Sequence, residues 1–253
     1  MKKLIVIFLF TIGLLQAPAA FAYSVSFTDT TKHWNDYGVN WQNNSDYIGT
    51  PNLTGGAFIY EGHSLVGINL NYASTSSELY LGDWFFDIDQ NGTWDYVLHH
   101  ELDLASGWRV VDGRWTIVNK GVDHDYGYSL YKVTLAYGDW DSYVESFWPD
   151  RYYGRYDHPA LANVDDGELL DDDITLAGWS TTQAPGTVSW SDFVLDLSAY
   201  DGQAFTYGFA MTCANDVLYG ESTIPAPEPG TFLLLGLGSL GLFAYSRKRN
   251  RVL

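Results

Sequence analysis

Hydrophobic and polar positions alternate in short runs along most of the chain. The alternation is clearest at Trp190, Asp192, Val194 and Asp196 and again at Phe205, Tyr207, Phe209 and Met211, the period of a strand with one face buried. The runs predict strands at Ser24–Thr28, Ala57–Tyr60, Leu65–Tyr72, Trp84–Ile88, Trp94–His100, Trp108–Val111, Trp115–Val118, Tyr128–Tyr137, Val188–Leu197 and Phe205–Cys213. Asp112-Gly113 sits between two of them, the dipeptide that closes tight hairpins. No stretch between residues 23 and 224 keeps a helical period for more than a turn or two. Many short strands joined by Gly, Asn and Asp turns predict an all-β body, an antiparallel β-sandwich or jelly roll. With no internal repeat and no proline-rich linker before Ile224, residues 23–224 read as one domain.

The two ends break this pattern. Lys2-Lys3, an apolar run from Leu4 to Leu15 and Ala20-Phe21-Ala22 form a secretory signal peptide over residues 1–22, with cleavage expected after Ala22. The run is too short for a spanning anchor. At the other end, residues 225–253 open with Pro225-Ala226-Pro227-Glu228-Pro229-Gly230, an extended spacer that proline keeps from becoming helical. An apolar segment over 230–246 follows. As a helix it rises about 26 Å, just short of the ~30 Å hydrocarbon core of a bilayer. Arg247, Lys248, Arg249 and Arg251 then close the chain. A single transmembrane helix stopped by basic residues places the body outside and the tail in the cytoplasm.

Pro227-Glu228-Pro229, a short glycine-bearing span and a terminal Arg/Lys cluster, in that order, resemble the PEP-CTERM sorting signal. The resemblance covers about residues 225 to 251. It implies an exported protein of a Gram-negative bacterium that makes extracellular polysaccharide. It also implies a membrane enzyme, exosortase, that recognises the tripeptide and removes the tail, so the protein is held at the inner membrane before processing and reaches the cell surface or exterior afterwards. It is silent about the body. Gly236-Leu237-Gly238-Ser239-Leu240-Gly241 within the tail matches G-x-G-x-x-G, but a dinucleotide site needs a βαβ unit around it and here the chain ends. The glycines instead offer a small-residue face for helix contact.

Charge narrows the partners. The chain carries 31 Asp+Glu against 13 Lys+Arg, a net −18. Without the two ends the body keeps seven basic residues and 30 acidic ones, a net −23. Such a surface repels phosphate and excludes a nucleic-acid binder. It attracts cations. Cys213 is the single cysteine, so no intramolecular disulfide is available and stability rests on packing and on any bound ion.

The best candidate for chemistry is Asp87-Ile88-Asp89-Gln90-Asn91-Gly92-Thr93-Trp94-Asp95. Oxygen side chains at alternate positions, a Gly for the sharp turn and a further Asp follow the start of a calcium loop. Ca2+ takes six to eight hard oxygens, and alternate residues of a tight loop point inward. Asp87, Asp89, Asn91, Thr93 (through its carbonyl) and Asp95 are the candidate ligands. Position twelve is Leu98 rather than Glu and the flanks read as strands, so this is no EF-hand. The loop resembles the Asp-rich Ca2+ loops set between strands in many exported bacterial proteins. A bare Asn/Asp/Gly turn is the alternative.

Other constellations are weaker. Asp165-Asp166-Gly167-Glu168 and Asp171-Asp172-Asp173 are irregularly spaced and read as a solvated loop. His99 and His100 are neighbours on a strand, point to opposite faces and cannot chelate together. His33, His63, His124 and His158 lack metal-ligand spacing. In Gly62-His63-Ser64-Leu65-Val66 the second glycine of a nucleophile elbow is Val66. Nothing in linear order selects a glycosidase carboxylate pair. Trp140, Tyr143, Phe147, Trp148, Tyr152, Tyr153 and Tyr156 cluster beside Arg151 and Arg155. Trp140, Trp148, Tyr152 and Tyr153 are the candidates for stacking on sugar faces, with core packing as the alternative. The expectation is an exported, non-enzymatic surface or matrix protein, calcium-stabilised and polysaccharide-associated; a secreted polysaccharide hydrolase on a jelly roll is the other reading.

Overall fold

Short aromatic and β-branched runs cannot bury one face alone; here eleven strands are laid side by side into one sheet and the other four form two separate two-stranded sheets. The computed structural model describes residues 22–30, 52–74, 81–101, 106–111, 114–119, 127–137, 143–145, 159–179, 184–211, 216–226, 236 and 238–241. In chain order the strands are β1 (Ala22–Thr28), β2 (Asn52–Glu61), β3 (Ser64–Ser74), β4 (Leu81–Asp87), β5 (Thr93–His100), β6 (Ser106–Val111), β7 (Arg114–Asn119), β8 (Tyr128–Ala136), β9 (Tyr143–Glu145), β10 (Pro159–Ala162), β11 (Glu168–Ala177), β12 (Gly186–Ser191), β13 (Leu195–Asp196), β14 (Ala204–Met211) and β15 (Val217–Thr223). An 11-stranded sheet runs β1-β2-β3-β12-β11-β8-β5-β4-β14-β15, with β13 added on β3. Its pairings are antiparallel, and its two end strands approach each other, so the sheet nearly closes.

The all-β, antiparallel expectation is met. Where two separate sheets were expected, one continuous sheet bends through β11. The N-terminal part of β11 pairs with β8 and its C-terminal part, Thr175–Ala177, with β12. Two register shifts between Leu169 and Ile174 supply the bend, since an unpaired residue in a ladder kinks and twists the strand. The acidic stretch Glu168–Asp173, read as a loop, is therefore strand; its carboxylates face solvent and hide the pattern that Ile174, 5% exposed, anchors. β9, β10 and β15 were also unforeseen.

Two cores lie on the two faces of the sheet. Inside, Phe58 on β2 meets Phe205 and Tyr207 on β14 at ring distances of 5.4 and 5.1 Å, both edge-on. Trp84 and Trp190 cross at 88° with centroids 5.7 Å apart. Edge-on pairs of this kind add about 0.5–1.5 kcal/mol each beyond their buried area. Outside, Phe85, Trp94, Val97, Val133, Tyr137, Ala162, Ala210 and Val217 form a second cluster, over which β10 lies. β4 is thus buried along its whole length. Trp84 and Phe86 point inward, while the opposite parity turns Asp83, Phe85 and Asp87 outward under that cover.

Two further expectations change. The alternation through Val188–Leu197 does not persist, because Asp192 adopts φ 67° and transposes the faces. Trp190 is buried before the kink; after it Phe193, Leu195 and Leu197 are buried and Val194 is 64% exposed. Among the described residues no helix is long and apolar enough to cross a membrane. Gly236 and Gly238–Gly241 have helical backbone and are exposed, whereas most of the expected span 230–246 and residues 1–21 of the expected signal peptide lie outside the described residues.

Candidate metal centre and sorting tail

The β4–β5 connection carries the candidate ion site. Register pairs Trp84 with Leu98 and Phe86 with Tyr96, so residues 87–95 turn at one end of the sheet. Gln90 at φ 56° and Gly92 at φ 84° make the turn; Gly92 has open space where a side chain would stand, and its constraint is conformational. The carboxylates of Asp87, Asp89 and Asp95 converge, with one oxygen from each lying within 4.8 Å of the others. Two oxygens bound to one Ca2+ at about 2.5 Å lie at most about 5 Å apart, so the spacing admits a shared shell.

Hydrogen bonds hold the carboxylates in place. Asp87, 1% exposed, accepts from the backbone N–H of Asn91 (3.1 Å) and Gly92 (2.9 Å) and from the Tyr137 hydroxyl (2.6 Å). Asp89 accepts from Asn91 N–H at 3.2 Å, and Asp95 from Ile88 N–H at 2.7 Å. A carboxylate offers about four lone-pair positions, so each acid keeps accepting capacity for an ion. Burial pushes the Asp95 carboxyl up, the Ile88 N–H opposes this, and the charges of Asp89 and Asp87 add to the rise. Burial and the bond to Asp87 together raise Tyr137 far above its ordinary range, so its hydroxyl stays a donor. Of the other expected ligands, Asn91 is exposed and Thr93 begins β5 opposite Ala136.

Two buried carboxylates were missed. Asp83, 0% exposed, accepts from His100 N–H at 2.8 Å and Ala162 N–H at 2.7 Å, and lies 2.8 Å from His99 Nδ1. It ties β4 to β5 and to β10 across the outer core. Asp216, also 0% exposed, accepts from Leu53 N–H and Val217 N–H, joining β15 to β2. The only signal for Asp83 was a charge inside the otherwise apolar run Leu81–Phe86. His99 and His100 do point apart. His99 faces Tyr131 edge-on, while His100 stacks on Tyr128 at 4.5 Å and donates from Nδ1 to the Leu81 carbonyl at 2.6 Å. Trp140, Trp148, Tyr152 and Tyr153 lie outside the described residues, as do Pro227, Glu228, Pro229, Arg247, Lys248, Arg249 and Arg251.

The tail supplies the one recognisable relationship. The family model of the PEP-CTERM protein-sorting motif matches residues 225–249, taking in the Pro-Glu-Pro tripeptide, the apolar segment and Arg247 to Arg249; Arg251 falls beyond the match. No curated protein and no solved structure matches the chain. The chain carries a PEP-CTERM sorting motif, which implies export and sorting by exosortase, a membrane enzyme.

Proposed function

We propose that the protein is an exported, non-enzymatic component of the cell surface or extracellular matrix. Its C-terminal helix holds it at the inner membrane until an exosortase-type enzyme removes the tail, and the β body then associates with extracellular polysaccharide. The observation that carries this reading is the sorting motif at residues 225–249 behind an all-β body. The assignment of the body is supported by its net −23 charge, which suits a hydrated, cation-rich matrix. Sorting is tested by comparing the full chain with a chain ending at Ala226 in cells that contain the processing enzyme. The full chain should be trimmed and reach the surface. Equal mass and equal destination for the two would reject the sorting role. Matrix association is tested by retention of the mature protein on polysaccharide isolated from the producing cells, and absence of retention rejects it.

The 87–95 loop we read as a structural Ca2+ clip, with Asp87, Asp89 and Asp95 as carboxylate ligands and Asn91 and the Thr93 carbonyl completing the set. The support is the convergence of three acidic groups within 4.8 Å, whose mutual repulsion an ion relieves. Calorimetry with CaCl2 should show one bound ion; no heat and no change in melting temperature on chelation reject the clip.

A further inference from the structure

The turn between β4 and β5 contains the chain's one Asn-Gly pair, Asn91-Gly92. Such a pair is chemically labile, because glycine sets no side chain beside its own nitrogen and that nitrogen can attack the preceding carboxamide. Both residues are exposed, and nothing lies within 4 Å of where a Gly92 Cβ would stand. Water reaches the pair, and no packed neighbour crowds that side of Gly92.

Hydrogen bonds hold the reaction off. The Gly92 N–H donates to one oxygen of Asp87 at 2.9 Å. The Asn91 N–H donates to the other oxygen at 3.1 Å and to Asp89 at 3.2 Å. One carboxylate therefore pins the two peptide planes that flank the Asn91 Cα. Attack requires the Gly92 nitrogen to shed its proton and the Asn91 side chain to fold back onto it. The first move is opposed because a second negative charge would form against Asp87. The second is opposed because turning the Asn91 backbone breaks one of the two amide bonds. Asp87 is itself anchored, being 1% exposed and accepting from the Tyr137 hydroxyl at 2.6 Å.

We propose that Asn91 is a spontaneous modification site that Asp87 keeps latent. When the loop opens and Asp87 releases the Gly92 amide, the Gly92 nitrogen bonds to the Asn91 Cγ. The Cγ–Nδ2 bond breaks, and ammonia leaves with the proton that Gly92 gave up. Water then opens the cyclic imide at either carbonyl, leaving aspartate or isoaspartate at position 91. Isoaspartate carries one extra methylene in the main chain, which displaces the Gly92 N–H from Asp87. The change is one-way, and it adds a charge to a loop that already gathers Asp87, Asp89 and Asp95.

The purified full chain is incubated at mildly alkaline pH in EDTA, so that the outcome does not depend on whether the loop binds an ion. Position 91 is read by peptide mass mapping. The folded wild type should convert at least about tenfold more slowly than the same chain in urea, the scale of losing a hydrogen bond to a charged acceptor. Folded Asp87→Ala should convert about tenfold faster than folded wild type. Asp87→Asn, which keeps a neutral acceptor, should fall between the two and serves if the alanine variant does not fold. Gly55→Ala destabilises the body by pressing on Phe27 and Thr28 and not on the loop, and should stay near the wild-type rate. Equal rates in folded and unfolded wild type, wild-type rates in both Asp87 variants, or Gly55→Ala as fast as Asp87→Ala each overturn the protection by Asp87. A chain that stays unconverted even in urea overturns the site itself.

Discussion

Replacing Asp87 by alanine separates the two duties assigned to this residue. In the ion-free protein its carboxylate takes three hydrogen bonds, from Asn91 N–H, Gly92 N–H and the Tyr137 hydroxyl. The two amides belong to exposed residues and can turn to water, so their loss costs little beyond loosening the loop. Tyr137 is only 8% exposed, and its hydroxyl loses a charge-assisted partner. The Thr206 side chain remains beside that hydroxyl, so the loss is that of one hydrogen bond to a charged group, about 1.5–3 kcal/mol, and the loosened turn brings the expected loss to about 3 kcal/mol. That is a large part of the ~5–15 kcal/mol of a typical domain. Calcium adds a second, independent number. If the site binds as extracellular modules do, with Kd of about 0.1–1 mM, about 10 mM CaCl2 stabilises the wild type by roughly 1.4–2.7 kcal/mol through mass action. Urea unfolding followed by tryptophan fluorescence, in EDTA and in CaCl2, measures both. The variant should fall about 3 kcal/mol below wild type in EDTA and gain nothing from calcium. A loss below about 1 kcal/mol in EDTA refutes the hydrogen-bond reasoning, and an undiminished calcium gain refutes Asp87 as a ligand.

Three other outcomes are expected. His100 is buried and neutral, its pKa lowered to about 4 chiefly by burial. The unfolded chain therefore binds a proton that the folded one refuses between about pH 6.5 and 4. Stability from this group is complete above that window and falls by about 1.4 kcal/mol per unit as pH drops through it. His100→Phe should remove that slope from urea midpoints measured at several pH values, and an unchanged slope assigns it elsewhere. Asp95 works in the opposite direction: its raised folded pKa means that in EDTA it disfavours the fold as pH rises through that pKa, and an ion should lose affinity as protons compete for it, which calorimetry at falling pH detects. Gly55→Ala should cost more than about 2 kcal/mol, since φ is +118° and the new Cβ would stand 2.4 Å from the Phe27 carbonyl oxygen, forcing β1 from β2; a melting temperature within a degree or two of wild type contradicts this.

What the linear order of residues decided is the local part. Each predicted run from Ser24–Thr28 to Phe205–Cys213 contains strand, because a period of two with aromatic and β-branched residues is a property of neighbours along the chain. Val111 stands opposite Arg114, the register a tight connection predicts, while Asp112 and Gly113 lie outside the described residues. The tail is legible for the same reason: tripeptide, apolar segment and basic stop are contiguous and need no partner from the body. The convergence of Asp87, Asp89 and Asp95 was readable because one short loop holds all three.

Tertiary structure decided everything that depends on distant residues meeting. Asp83 looks like a solvent-facing acid until Ala162 and His100 bring their amides to it. Tyr137, fifty positions from Asp87, becomes its partner only because β8 pairs with β5. The strand beginning at Glu168 is masked by its own carboxylates, since an exposed face on a bent, register-shifted strand has no apolar alternation to detect. The kink at Asp192 reverses which residues face inward, a one-residue event that a regular period cannot register. The approach of β1 to β15 follows from near-closure of the sheet, which sequence spacing does not encode because strand order is settled by packing between faces rather than along the chain.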